Sequence, residues 1–263
     1  MSVQVVEPKV ILIAKPSTFE GTRLSGIAAK TCTSAETFGE ILDTNDTYEG
    51  VLKNVLAYGH YSVTEFDFWV FGIENVSRTL THQLVRKRLA NYAQESMRYT
   101  SQSGVYKVIV PKTLQGKTAT VTIPGVKVDS LHPLHVDLSL EDLAAISHEW
   151  YEGMQDQGVP NEDARFGLLE ASKTKILVGM NTHGLLDFFG ERTCRCAQWE
   201  IRGVATTMLR LALENDPVGM AGAGPKCHKT QFCIESKKKW DTCRYSTHIS
   251  EVQHLIKRNG KIC

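Results

Sequence analysis

Apolar residues recur at helical spacing over several long stretches and alternate at strand spacing over a few short ones. The first run, KVILIAKP, reads as a buried strand ended by Pro16. From about Thr47, residues Tyr48, Val51, Leu52, Val55 and Leu56 fall on one helical face, and Gly59 is placed to end that helix. Phe66 to Ile73 alternates and is rich in aromatics, which predicts a strand. The next stretch, VSRTLTHQLVRKRLANY, predicts a helix with Ser77 as N-cap, Leu80 and Leu84 toward the core, and Gln83 and Arg86 sharing another face.

Pro111 to Pro133, rich in Thr, Gly, Lys and Val, suggests a loop or hairpin excursion. Leu143, Ser147, Trp150 and Met154 outline a long amphipathic helix ended at Gly158, and Pro160 begins a second helix containing Arg165. KTKILVGMN reads as extended, GLLDFF as a short helix. The clearest helix starts near Cys196, where Ala197, Ile201, Val204, Ala205, Met208, Leu209 and Ala212 form a nearly unbroken stripe. After Pro217 the chain turns loop-like, then basic at SKKKWDTC, and ends in EVQHLIKRNGKIC, which suggests a short final helix. Helices dominate without regular βαβ alternation, so the expected class is α+β, helix-rich and mixed, with a small, mostly antiparallel sheet.

Composition narrows the classes. The 263 residues carry 30 Lys plus Arg against 29 Asp plus Glu, a formal net charge of +1, which argues against a nucleic-acid coat or an acidic tail protein. With 42% hydrophobic residues the chain can bury a sizeable core, and no apolar stretch approaches the roughly 20 residues of a membrane span. The N-terminal apolar run is too short for a signal-peptide core, and the cysteine count of seven is odd; both suit a cytoplasmic protein with reduced thiols.

The balanced total conceals a local imbalance. Arg78, Arg86, Lys87, Arg88 and Arg98 face a single acid, Glu95, between residues 78 and 98. Arginine forks match phosphate or carboxylate with two parallel N–H donors, and Gln94, Ser96 and Tyr99 add neutral hydrogen-bonding groups. A solvated basic helix end is the plainer alternative. A second signal, DFFGERTCRCAQWEIRG, holds Arg192 near the start of the long stripe helix, where a fixed cation would stabilise a developing anion; an ordinary helix junction with surface ion pairs is the alternative. The cysteines do not make a standard metal pattern: Cys194 and Cys196 form C-x-C, while Cys227, Cys233 and Cys243 are irregularly spaced, so no metal is expected. Cys32 is expected in the core and Cys263 as a terminal thiol. Neither a dinucleotide-binding glycine fingerprint nor a phosphate-binding P-loop is present, so side chains would have to hold any nucleotide.

Arg86-Lys87-Arg88, seven residues, then Ser96-Met97-Arg98-Tyr99 resembles the signature of the flavin-dependent thymidylate synthases, Arg-His-Arg, seven residues, Ser. GHYSVTEF (Gly59 to Phe66) is similar to the family's upstream His-x-Ser/Thr-x-x-Glu segment. Pro160, Ala164-Arg165, Asn181, Leu186, Arg192 and Ala197-Gln198-Trp199-Glu200-Ile201 are colinear with its C-terminal half. The resemblance implies a homotetramer with sites between subunits, FAD as cofactor, NADPH and methylenetetrahydrofolate as co-substrates, and reductive methylation of dUMP to dTMP without a cysteine nucleophile. It implies no nucleic-acid or membrane partner. It assigns FAD contacts to Ser62, Arg86, Lys87, Arg88, Gln94, Asn181, His183 and Asp187. Nucleotide contacts fall to Gln83, Arg86, Gln94, Glu95, Ser96, Met97, Arg98, Arg165 and Arg192, with Arg192 also polarising the pyrimidine.

On that reading residues 1–215 form the catalytic domain and 216–263 a cysteine-containing extension packed on it. Lys87 stands where the signature has His, Gln94 where Glu is common, His183 for a frequent Arg, Asp187 for a frequent Asn, and Cys196 for a His. Methylation or hydroxymethylation of UMP or dCMP is the alternative reaction, and a silent nucleotide- or RNA-binding relative is the non-enzymatic one.

Overall fold

The computed structural model describes residues 3–16, 18–19, 22–43, 46–127, 133–230, 232–233, 243 and 247–248. The expected final helix, the SKKKWDTC stretch apart from Cys243, and Cys263 lie outside the described residues. In chain order the elements used below are β1 (Val3–Val5), β2 (Lys9–Ala14), α1 (Leu24–Thr33), α2 (Phe38–Leu42), α3 (Glu49–Ala57), β3 (Phe68–Ser77), α4 (Arg78–Leu84), β4 (Asn91–Gln94), β5 (Tyr106–Val108), β6 (Ala119–Lys127), β7 (Pro133–Leu138), α5 (Leu140–Asp156), α6 (Asn161–Ala164), β8 (Lys173–Asn181), α7 (Thr182–Arg192), α8 (Trp199–Asn215) and α9 (Lys226–Thr230). A four-stranded sheet has the order β2–β3–β8–β4, and β6 pairs antiparallel with β7. The α+β expectation holds. No helix among the described residues is long and apolar enough to cross a membrane.

The chain divides into two compact units, the first comprising Met1–Lys9, Ile73–Gln83 and Ala93–Ile176, the second Val10–Gly72, Leu84–Tyr92 and Leu177–Cys263. In the first unit β1 runs parallel to β5, with Val3 opposite Tyr106. Tyr106, Val108, Val110 and Ala144 form its apolar centre. Helix α5 starts at a capping box in which Ser139 and Asp142 satisfy each other's backbone N–H groups. Its buried face is Ala144, Ser147, His148 and Tyr151, while Leu143 and Trp150, expected to face the core, are exposed. The face is turned because the His148 ring stacks on Tyr106 at 4.8 Å and its Nε2 meets the Gln102 carbonyl at 2.7 Å, which a polar aromatic can do and a leucine cannot. The expected hairpin excursion is the β6–β7 ladder.

In the second unit α1 and α3 pack around Ala29, Leu52, Leu56 and Val63. Helix α3 begins at Glu49, two residues later than expected, because Tyr48 adopts a left-handed conformation (φ 53°) as its N-cap. Gly59 (φ 84°) follows its end as expected. Ile201, Val204, Ala205, Met208 and Ala212 make the buried stripe of α8, which starts at Trp199 because the Gln198 side chain accepts from the N–H groups of Glu200 and Ile201. Ala197 therefore lies before the helix. Strand β2 forms as expected, yet Ile11 and Ile13 are exposed. Cys32, expected in the core, is also exposed, on α1.

Candidate functional site

The predicted helix over residues 76–92 stops at Leu84, and this break organises the arginine-rich segment. Ser77 Oγ accepts from the Leu80 N–H at 3.0 Å, so the N-cap is as expected, and Leu80 and Leu84 are fully buried. Past Leu84, the Lys87 N–H donates to the Leu84 carbonyl at 3.1 Å, closing a turn. The Tyr92 hydroxyl donates toward the carbonyls of Leu84 (2.8 Å) and Lys87 (3.0 Å), pinning the turn. Burial pushes that phenol up to about 12, so it stays protonated as a donor. Gln83 and Arg86 consequently do not share a helical face: Gln83 ends up in the first unit, Arg86 in the second.

In the first unit a cavity of about 310 Å³ is lined by Arg78, His82, Met97, Arg165, Phe166 and Glu170 among others. The segment after β4 is held above it by side chains. Gln94 Nε2 donates to Thr81 Oγ1 at 3.0 Å, Glu95 pairs with Lys173 at 3.4 Å, and the Ser96 carbonyl accepts from the N–H groups of Tyr99 and Thr100. Arg98 Nε donates to Glu162 Oε2 at 2.6 Å, and Arg165 Nε to the Glu162 carbonyl at 3.1 Å. Of the residues assigned to the nucleotide, Met97 and Arg165 line the cavity, whereas Gln94, Glu95 and Arg98 are engaged by neighbours. His82 and Phe166 were not singled out from the sequence. The only signal for them was position, one on the same helix as Arg78 and one beside Arg165.

In the second unit Asn181 caps α7, its Oδ1 accepting from the Gly184 N–H at 2.8 Å. Thr182 is anchored by the Trp69 indole N–H, which donates to its hydroxyl at 2.8 Å. This aims one face of α7 at the turn after Leu84. Arg86, Lys87, Arg88, Leu89, Glu191 and Arg192 line a cavity of about 270 Å³. Lys87 Nζ pairs with Asp187 and lies 3.8 Å from Glu191. Burial would raise the Asp187 carboxyl, but the Lys87 hydrogen bond and charge, with the charges of Lys226 and His183, hold it below its ordinary value. Among the described residues no hydrogen bond or ion pair holds the guanidinium of Arg86, Arg88 or Arg192. Three permanently charged forks without carboxylate partners among the described residues are chemically able to receive an anion.

A neighbouring cavity of about 210 Å³ is lined by Tyr61, His183, Leu186, Asp187, Gly190, Gly224 and Lys226. His183 Nδ1 is 2.8 Å from Glu65 and its ring stacks on Tyr61 at 6.2 Å. A third cavity, about 280 Å³, gathers Arg192 with Cys194, Cys196, Cys227 and Cys233. No group of His, Cys, Asp or Glu among the described residues is arranged to hold a metal ion. Ser62 is exposed and Asn181 is committed to capping; neither lines these three cavities.

Residues 17–218 match the family described as "Thymidylate synthase complementing protein". The chain belongs to the flavin-dependent thymidylate synthase family. The enzyme of that name from Geobacter sulfurreducens is 38% identical over 204 residues, covering 76% of this chain and 81% of that one. The Thermococcus kodakarensis enzyme is 39% identical over 207 residues, covering 77% and 78%. A UMP/dUMP methylase, PolB from Streptomyces cacaoi, solved with 5-Br dUMP, has the same fold, with a TM-score of 0.62 over 85% of this chain and 98% of that one at 19% identity. The Arg-Lys-Arg turn and Arg192 line one cavity, in the second unit, and Met97 and Arg165 line a separate cavity, in the first.

Proposed function

We propose that this chain is a flavin-dependent thymidylate synthase that reductively methylates dUMP to dTMP with methylenetetrahydrofolate and NADPH. The observation that carries the reading is the cavity on which Arg86, Arg88 and Arg192, three guanidiniums without partners among the described residues, converge in a chain of this family. The surroundings fit FAD: Arg86 and Arg88 suit its pyrophosphate, and the Tyr61–His183 stack is a flat aromatic surface beside Asp187. FAD contacts are assigned to Ser62, Arg86, Lys87, Arg88, Gln94, Asn181, His183 and Asp187. Reduced by NADPH, FAD supplies a hydride when bound, and the folate supplies the carbon.

The nucleotide is assigned to Gln83, Arg86, Arg165, Arg192 and the Gln94–Arg98 segment. Arg192 is the catalytic residue: its permanently charged guanidinium stabilises the enolate-like anion left when the pyrimidine N3 loses its proton, raising electron density at C5. Arg98 shares its guanidinium between Glu162, held through Nε, and a phosphate, for which its terminal N–H groups serve. Asn181 keeps its cap and has its amide N–H groups to offer. The assembly is a homotetramer with sites between subunits, in the cytoplasm. Residues 1–215 serve as the catalytic domain and 216–263 as an extension packed on it.

The test is a product assay of the FAD-loaded protein with dUMP, UMP and dCMP, each with methylenetetrahydrofolate and NADPH. The expected product is dTMP from dUMP. Formation of 5-methyl-UMP or a 5-substituted dCMP with none from dUMP transfers the activity to the alternative substrates, and absence of all products from the FAD-loaded protein overturns the enzymatic reading.

A further inference from the structure

The family match ends at residue 218, but the chain beyond it returns to α7. Lys226 Nζ lies 3.8 Å from Glu191 Oε1. Its stem crosses Gly190, where a β-carbon would come within 3.2 Å of Lys226 Cγ. Gly190 is buried inside a helix, a setting in which glycine is less favourable than alanine. The missing side chain leaves the notch that the lysine stem fills.

Glu191 sits between two lysines, with Lys87 Nζ also at 3.8 Å. It shares two cavity walls with its chain neighbour Arg192. Both stand in the last turn of α7, where the helix dipole favours the arginine and disfavours the glutamate. Adjacent helix positions do not face each other, but a carboxylate left un-neutralised on the same cavity walls offsets the attraction of the Arg192 guanidinium for an anion. We propose that Lys226, from the segment beyond the family match, is a positioning residue of the nucleotide site: by engaging Glu191 it leaves the Arg192 guanidinium to an anionic substrate. The inference rests on the assignment of Arg192 to the nucleotide. The same lysine contributes to holding the Asp187 carboxylate charged.

The experiment titrates dUMP into the FAD-loaded full chain and follows flavin absorbance, with steady-state kinetics alongside. Lys226→Met keeps the stem over Gly190 and removes the charge. Its dUMP Kd is expected to rise about threefold to tenfold, with kcat less affected than KM. Lys226→Arg should stay near wild type, and adding Glu191→Gln to Lys226→Met should restore affinity, which mere loss of packing would not allow. Wild-type binding by Lys226→Met, or continued weak binding by the double variant, overturns the inference. Arg192→Ala separates the levels. If it weakens dUMP binding while Lys226→Met does not, only the role of Lys226 falls; if it binds dUMP like wild type, the nucleotide assignment of Arg192 falls and this inference with it.

Discussion

The two units treat their arginines in opposite ways. In the first, Arg98 is paired with Glu162, Arg165 donates to the Glu162 carbonyl, and Arg78 reaches the Glu95 carbonyl at 3.5 Å. In the second, the lysines take the acids. Lys87 holds Asp187, Lys87 and Lys226 flank Glu191, and Arg86, Arg88 and Arg192 are left without partners among the described residues. A guanidinium with one donor already committed to a neighbour has its orientation set by that partner and keeps its remaining N–H groups for a ligand. One surrounded by carboxylates that lysines have neutralised meets an incoming anion at little cost. The difference teaches that charge count along residues 78–98 says little about which cation is available to a ligand.

The largest expected effect tests the unpaired side. Arg192→Ala should lower the methylation rate by about a hundredfold or more, the scale for removing a donor aimed at a developing anion, while leaving much of the flavin bound. Single-turnover kinetics on FAD-loaded protein measure it; a rate near wild type ends the assignment. A middle-sized effect compares the two units directly. Arg86→Ala should weaken dUMP binding by more than tenfold, roughly, the loss of a charged hydrogen bond, and Arg98→Ala by less, because its guanidinium is already shared with Glu162. A larger loss for Arg98→Ala in equilibrium titration breaks the comparison.

The smallest effect concerns the lysine–acid pairing itself. Asp187 is held below its ordinary value of 3.8 in the fold. Its stabilising contribution is therefore full above that value and is lost as the pH falls through the lower folded value. Asp187→Asn should flatten part of the drop in thermal midpoint below about pH 4, by a modest amount because the side chain is half exposed. An unchanged acid limb would show that the Lys87–Asp187 pair contributes nothing to stability.

Much of the scaffold was legible in the sequence. The α3 and α8 stripes, the Ser77 cap and the extended run at Lys173–Asn181 follow from local period and capping chemistry, which depend on near neighbours alone. The errors share one cause. The rotated face of α5 depends on a ring stack between His148 and Tyr106, which are far apart in the chain. The exposure of Cys32, Ile11 and Ile13 depends on what packs over them, which apolar spacing does not encode. The helix expected to run past Leu84 stops because Tyr92 returns its hydroxyl to the turn.

For the site, the residue types and order of Arg86-Lys87-Arg88, Ser96 and Arg192 were enough to place the chain in its family, since a signature is a property of sequence. Which of those cations is held by a neighbour was not readable there. Pairing is a matter of a few ångströms between residues about a hundred positions apart, as with Lys87 and Asp187. The sequence by itself determined the strongly periodic elements, the family and the stock of cations. Only the tertiary structure decided that lysines pair with Asp187 and Glu191 while Arg86, Arg88 and Arg192 have no partner among the described residues, because charge partnership falls off over distances that the linear chain does not specify.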